Sequence, residues 1–215
     1  MPSESVEDYL KNIYVLQQEG KKVNTGNLAV SLSVSPASVS EMVNKLSRLK
    51  WIKNEPYHGF RLTKEGERIS INLIRKHRLL EVFLSQYLKY DWDEVHAEAE
   101  RIEHCVSDKF IDKLEEFLSY PKFDPHGHPI PDKNGNLKML DSILLTSAVP
   151  GRKYTIAGVS DESVEILRYF SRIGVKLNAS VVVSEVVEFD GSVIIILNNK
   201  KQLLSRKMAE QIFII

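Results

Sequence analysis

A mainly α-helical chain with a small β domain at its C-terminal end is the fold class that the sequence predicts. Three observations carry it. Apolar residues recur at helical spacing through most of residues 5–119. Pro121, Pro125, Gly127, Pro129, Pro131 and Gly135 break that pattern between Tyr120 and about Ser142. Valine- and isoleucine-rich runs then dominate residues 145–215. The expected organisation is an N-terminal winged helix-turn-helix over 1–75, a helical domain with a linker over 76–142, and a β-barrel over 143–215.

Residues 5–18 place Val6, Leu10, Ile13, Tyr14 and Leu16 near helical spacing, and Gly20 ends that helix. Asn24 and Thr25 can cap a short second helix from Gly26 to Leu32. Ser35 is a good N-cap for a third. Pro36, at its first position, lacks only a donor that has no partner there anyway. This helix runs to about Lys50, with Val39, Met42, Val43, Leu46 and Leu49 as its apolar stripe. Two helices joined by a short turn, the second opened by Ser-Pro, form a helix-turn-helix pattern. Trp51–Glu55 and Phe60–Thr63 read as strands joined by the turn Pro56-Tyr57-His58-Gly59, which makes a wing.

Two long helices follow, from about Lys64 to Lys89 and from Asp91 to about Ser119. Ile69, Leu73, Leu80, Phe83, Leu84 and Leu88 stripe the first; Trp92, Val95, Ala99, Ile102, Val106, Phe110, Leu114 and Leu118 stripe the second. Each is too apolar along one side to stand alone, so a homodimer core is the natural way to bury them. In the tail, Val181–Val183, Val186-Val187 and Val193–Leu197 read as strands, with Asp190-Gly191 a hairpin turn. Asp161–Ile173 reads as one inserted helix, with Asp161 at its N-cap and Gly174 closing it.

Composition narrows the functional classes. No run approaches the ~18–20 apolar residues of a membrane span, so no membrane partner is expected. The start, MPSESVEDYL, is acidic and polar, unlike a signal peptide. A single cysteine, Cys105, excludes an intrachain disulfide and fits a reducing cytoplasm. Net charge is zero, but residues 21–78 carry 12 Lys/Arg against 4 Asp/Glu, and residues 91–120 carry 3 against 10. A basic block followed by an acidic block suggests one region for an anion and one for a cation; two solvated helical surfaces would read the same way.

The acidic block also holds imidazoles. His96, Glu100, Glu103 and His104 fall at i, i+4, i+7 and i+8, on one helix face. His77 and Glu81 are an i, i+4 pair, Asp8 sits in the first helix, and the linker adds Asp124, His126 and His128. Carboxylates and imidazoles without a convergent thiolate suit manganese or ferrous iron better than a structural zinc cage. Glu100 and Glu103 repel unless a cation lies between them; the alternative is a solvated acidic face. Cys105, turned ~100° from His104, is expected to be a small core residue, and Trp51 and Trp92 are expected to pack.

In the basic block, Ser35, Ser38 and Ser40 can donate to phosphates or base edges, and Pro36 and Ala37 can touch a thymine methyl. Lys45, Arg48 and Arg61 are candidate phosphate contacts, with His58 in the wing beside them. Glu41 either accepts from a cytosine amino group or pairs with Lys45 at i+4.

Five segments carry a family resemblance: Glu7-Asp8-Tyr9-Leu10, Val34 to Val43, Arg75 to Glu81, Ala99 to His104, and Asp124-Pro125-His126-Gly127. On these the chain resembles the diphtheria-toxin-repressor family of metal-dependent regulators, particularly its manganese-sensing branch. The tail resembles the SH3-like, ferrous-iron-transport-A-like domain of the longer members. The resemblance implies a primary metal site of Asp8, Glu100, Glu103 and His104. It implies a second site of Glu81, Asp124, His126 and Asp161, with His77 and His96 close by. The metal implied is Mn(II), or Fe(II), at two sites per subunit. Two positions depart from the pattern. Asp124 stands where members of this branch often carry a cysteine. Lys11 stands where some shorter members carry an acid, so a two-metal cluster of that kind is not implied.

The expected function is a cytoplasmic repressor that binds double-stranded operator DNA as a homodimer when loaded with metal, and is not an enzyme. A metal-assisted hydrolase would use the same acids and histidines. However, no nucleophile stands out, and hydrolysis leaves the basic winged helix unexplained. A winged-helix regulator sensing an organic ligand, with the His/Glu face merely solvated, is the third reading.

Overall fold

The structure is a computed structural model, and it describes residues 2–55, 59–138, 140–161 and 163–215. His58 and most of the expected wing turn lie outside the described residues.

Three helices open the chain: α1 (Glu4–Gln18), α2 (Thr25–Ser31) and α3 (Pro36–Arg48). The caps are those the sequence offers. The Asn24 side chain accepts from the Asn27 amide, and Ser35 accepts from the Ser38 amide with Pro36 behind it. Val6, Leu10, Ile13, Leu28, Val39, Leu46 and Ile52 close into one core, with Trp51 packed on its flank. The wing strands, β1 (Ile52–Glu55) and β2 (Gly59–Leu62), pair antiparallel. The wing is tied back to the helices. Phe60 donates its amide to the Val23 carbonyl, and Leu62 donates to the Gln17 side chain. Gly59 permits the first of these contacts. Its φ is +86°, and a Cβ there would fall 2.0 Å from the Val23 carbonyl oxygen.

The long helix α4 (Lys64–Gln86) serves two domains. Near its start Ser70 donates to the Leu10 carbonyl of α1. Near its end Leu79, Leu80, Val82 and Leu84 join a second core with Val95, Ala99, Ile111 and Leu114. The single helix expected over 91–119 is two: α5 (Val95–Glu103) and α6 (Asp108–Phe117). Ser107 makes the break by capping α6, accepting from the Phe110 amide. A continuous apolar stripe disguised it. The break also overturns the placing of Cys105, which lies in the intervening turn and is exposed.

The linker crosses to a six-stranded antiparallel sheet in the order β3-β8-β4-β5-β6-β7. Its strands are β3 (Ile143–Leu144), β4 (Lys153–Val159), β5 (Ser180–Val186), β6 (Val193–Leu197), β7 (Lys200–Leu204) and β8 (Ile212–Ile214). Helix α7 (Val164–Ile173) packs Leu167 and Phe170 into its core, and Gly174 closes it in the left-handed region at φ +84°. A short helix α8 (Arg206–Ala209) precedes β8. Ser163, not Asp161, caps α7, by accepting from the Ile166 amide. Asp161 therefore has no capping duty. No helix is long and apolar enough to cross a membrane among the described residues.

Candidate metal centres

Two clusters of acids and imidazoles form where the helical domain meets its neighbours. The first joins α1 to α5. Ligand atoms of Asp8, Glu100, Glu103 and His104 lie within 4.8 Å of one another. Helical spacing sends Glu100, Glu103 and the C-capping His104 to one side of α5, and Asp8 meets them from α1. His104 Nε2 is 3.1 Å from Asp8 Oδ1 and 3.6 Å from Glu103 Oε1, while its Nδ1 pairs with Glu7 at 2.7 Å. Glu7 thus orients the ring from behind, as a carboxylate on the far nitrogen does for metal-ligating imidazoles. Glu103 is fully buried. Burial raises the Asp8 carboxyl above its usual range. Repulsion from Glu100 and Glu103 adds to this, and His104 and Lys11 only partly offset it. A divalent ion among these ligands would offset that cost to Asp8.

The second cluster joins α4, α5, the linker and the C-terminal domain. Glu81, His96 and Asp161 form one close group; Asp124, His126 and His128 form another. His96 Nδ1 lies 3.4 Å from Glu81 Oε1 and 3.2 Å from Asp161 Oδ2. Burial works against the charged imidazole, but those two carboxylates outweigh it and push His96 up to about 10. Against their own burial, Glu81 is held well below the usual carboxylate range by His77 and His96, and Asp161 by His96 and His128.

His126 provides the most telling detail. Its Nε2 makes a 2.9 Å hydrogen bond with the Trp92 carbonyl, and its ring stacks on the Trp92 indole. A carbonyl can only accept, so Nε2 donates in this bond and the other ring nitrogen, Nδ1, is turned toward the acids. That Nδ1 faces Glu81 Oε1 at 3.8 Å and Asp161 Oδ2 at 4.0 Å. Both His126 Nδ1 and Glu81 Oε2 are buried without a hydrogen-bond partner. His96 Nδ1 already bridges Glu81 Oε1 and Asp161 Oδ2, and the two unpartnered atoms beside it complete a set of oxygen and imidazole ligand atoms that fits a cation.

Backbone contacts assemble this second cluster. Val159 of β4 donates to the His126 carbonyl. Gly127, at φ +93°, lies so close to β4 that a Cβ would fall 2.3 Å from the Ala157 carbonyl oxygen. An Arg168–Asp93 ion pair at 2.6 Å adds a side-chain tie. The C-terminal domain is thus docked, with Asp161 aimed at Glu81 and His126.

Two expected members hold different places. Asp124 accepts at Oδ1 from the His126 and His128 amides, and its Oδ2 pairs with His128 Nδ1 at 3.1 Å, near Arg78. Burial disfavours the charged His128 ring, yet the Asp124 carboxylate pushes it up to about 9. Asp124 shapes the loop that carries His126. His77 bridges the two clusters, with Nδ1 on Glu103 at 2.5 Å and Nε2 on Glu81 at 3.1 Å. Spacing alone did not single out Lys11, Glu7 or Arg78. Each reaches its partner across at least 46 positions of sequence, from Arg78–Asp124 to Glu7–His104.

The basic surface is separate. Ser35, Pro36, Ala37, Ser38, Ser40, Glu41, Lys45 and Arg48 are all exposed along α3. The Ser35 and Ser38 hydroxyls bond to each other, and Ser40 donates to the Pro36 carbonyl. Arg61, on the exposed side of β2, is drawn to Glu55 at 3.5 Å. Glu55 also pairs with Lys53 at 2.6 Å.

Comparison with known proteins agrees with this layout. Residues 1–60 match the iron dependent repressor N-terminal DNA binding domain, residues 63–132 its metal binding and dimerisation domain, and residues 143–215 the FeoA domain. A manganese-dependent transcriptional repressor solved in complex with manganese is 34% identical, with a TM-score of 0.91 over 98% of this chain and 99% of that one. The manganese regulator SloR is 36% identical, with a TM-score of 0.82 over 100% of this chain and 99% of its own. The HTH-type transcriptional regulator MntR of Geobacillus thermodenitrificans is 36% identical over 120 residues, 56% of this chain and 84% of its own length.

Proposed function

The chain belongs to the iron-dependent, or diphtheria-toxin, repressor family, and from that premise we propose that it represses transcription by binding double-stranded operator DNA as a homodimer when loaded with Mn(II). Fe(II), with the same preference for oxygen and imidazole ligands, is the second candidate ion. The observation that carries the reading is the position of the first cluster. Asp8 belongs to the DNA-binding domain, whereas Glu100, Glu103 and His104 belong to the helical domain.

When bound, the ion would supply a divalent positive charge held in common by the four converging ligands. The rest follows from the chain. Asp8 and the α5 ligands hold α1 against α5. Because α1 and α3 share one core, fixing α1 fixes α3. In a dimer the two α3 helices must meet major grooves ~34 Å apart, so limiting domain freedom raises DNA affinity without any chemistry. Shifting such a balance from 1:99 to 99:1 takes about 5.5 kcal/mol of differential binding. At the DNA surface the α3 start, Ser35 to Ser40, reads bases, and Lys45, Arg48 and Arg61 hold phosphates. The His126–Asp161 group forms the second site, which pins the C-terminal domain.

Selection from a random duplex library tests the whole reading. With Mn(II), a two-fold-symmetric sequence should be enriched; with chelator, none. Equal enrichment under both conditions would overturn it. For the second site, Asp161→Asn keeps the shape and, with Ser163 capping α7, spares the helix. The variant should bind one equivalent less Mn(II) by native mass spectrometry, with the Asp8 cluster still filled. Unchanged stoichiometry would remove Asp161 from the ligand set.

A further inference from the structure

Lys11 lies inside the first cluster. Its Nζ is 2.6 Å from Glu100 Oε1, 2.9 Å from Glu103 Oε1 and 3.5 Å from His77 Nδ1. Its side chain is only 14% exposed. It leaves α1 three residues after Asp8, so it reaches α5 from the same helix face as that ligand. An ammonium ion is a compact, strongly hydrated charge with three donors. Here it has exchanged most of its water for two carboxylates. One of the oxygens it holds, Glu103 Oε1, is the one that also faces His104 Nε2 at 3.6 Å.

A fully buried carboxylate such as Glu103 needs a charged partner, because desolvating it alone costs several kcal/mol. Lys11 supplies that partner together with His77. Burial by itself disfavours the ammonium, but Glu103 and Glu100 more than reverse this and keep it charged. Lys11 also ties α1 to α5, which is the same pair of elements that Asp8 and the α5 ligands span.

We propose that Lys11 is a tethered counter-cation that occupies the Glu100–Glu103 carboxylate pair in the metal-free chain and must be displaced by the incoming divalent ion. It thereby sets the metal concentration at which the chain responds. This rests on the reading of the Asp8 cluster as a metal site. Measured metal affinity is then a difference between two cations competing for the same oxygens. A monovalent competitor on a short tether holds those oxygens at low metal and yields to a divalent ion at high metal. It also keeps the two glutamates from splaying apart while the site waits.

Two measurements test this. In the wild-type chain, acylation of the Lys11 amine, read by mass spectrometry, should rise several-fold on adding Mn(II), because displacement frees the ammonium. Reactivity that is unchanged or lower with Mn(II) overturns the proposal, and this arm needs no variant. Calorimetric titration of Lys11→Met with Mn(II) should give a Kd about tenfold lower than wild type, whereas Lys11→Arg, which keeps the charge, should stay near wild type. Lys11→Met binding no tighter than wild type overturns the inference alone. No Mn(II) binding by any of the three proteins would sink the metal-site reading, and the inference with it.

Discussion

Replacing Asp8 with Ala is expected to leave a folded chain that no longer couples metal to DNA. Asp8 is the only member of its cluster on α1 among the four converging ligands; the other three belong to α5 and its C-cap. Without it, an ion held by Glu100, Glu103 and His104 stays on one domain and cannot restrain the other. Couplings between sites commonly span about 1–3 kcal/mol, or 5- to 150-fold in affinity. Here the whole coupling should vanish, so Mn(II) should improve operator binding of wild type by about 100-fold and of Asp8→Ala hardly at all. Fold integrity is expected because Asp8 is half-buried at the edge of α1, and its neighbours Tyr9 and Leu10 carry the packing. Fluorescence anisotropy on the selected duplex, with and without Mn(II), reads the outcome. Operator binding by Asp8→Ala in chelator at the metal-loaded wild-type level would refute the coupling.

Much of this site was legible in the chain because helices write their faces in sequence. Glu100, Glu103 and His104 are neighbours by spacing, and so are His77 and Glu81, whatever the tertiary structure does. The caps at Asn24 and Ser35 were legible for the same local reason. What spacing could not supply was convergence. The family resemblance joined Asp8 to α5 and Asp161 to Glu81, and the structure brings both pairs together. The errors have physical causes too. The 91–119 stripe stayed apolar through a break that depends on one serine side chain bonding to one amide. Asp161 resembled an N-cap because Asp favours that position, yet Ser163 lies nearer the helix start and takes the amide. Lys11 read as a departure from the family pattern. Only its 2.6 and 2.9 Å contacts place it among the acids.

The second large effect is expected at the other side of the helical domain. Phe83, Tyr87 and Phe117 form an aromatic cluster, with Tyr87 and Phe117 centroids 4.8 Å apart and Phe83 within 6.4 Å of Phe117. Tyr87, Leu88, Phe110, Phe117 and Tyr120 are about half exposed, whereas Leu79, Leu80, Val82, Leu84, Ile111 and Leu114 of α4 and α6 are buried. An exposed apolar patch of this kind on a domain matched to a dimerisation family is where a second copy would sit. Phe117→Asp places a charge between Phe83 and Tyr87 in that patch. Removing a central aromatic anchor typically costs about 2–4 kcal/mol, which weakens a dimer by roughly 30- to 1000-fold. The internal core should survive, since Phe117 lies outside the set of Leu79, Val95, Ala99, Ile111 and Leu114. Sedimentation should show a monomer at concentrations where wild type is a dimer, and a monomer can present only one α3. Operator affinity should then fall steeply, and the salt dependence of the residual binding should flatten because fewer phosphates are met. A Phe117→Asp chain that still sediments as a dimer would move the interface elsewhere on the molecule.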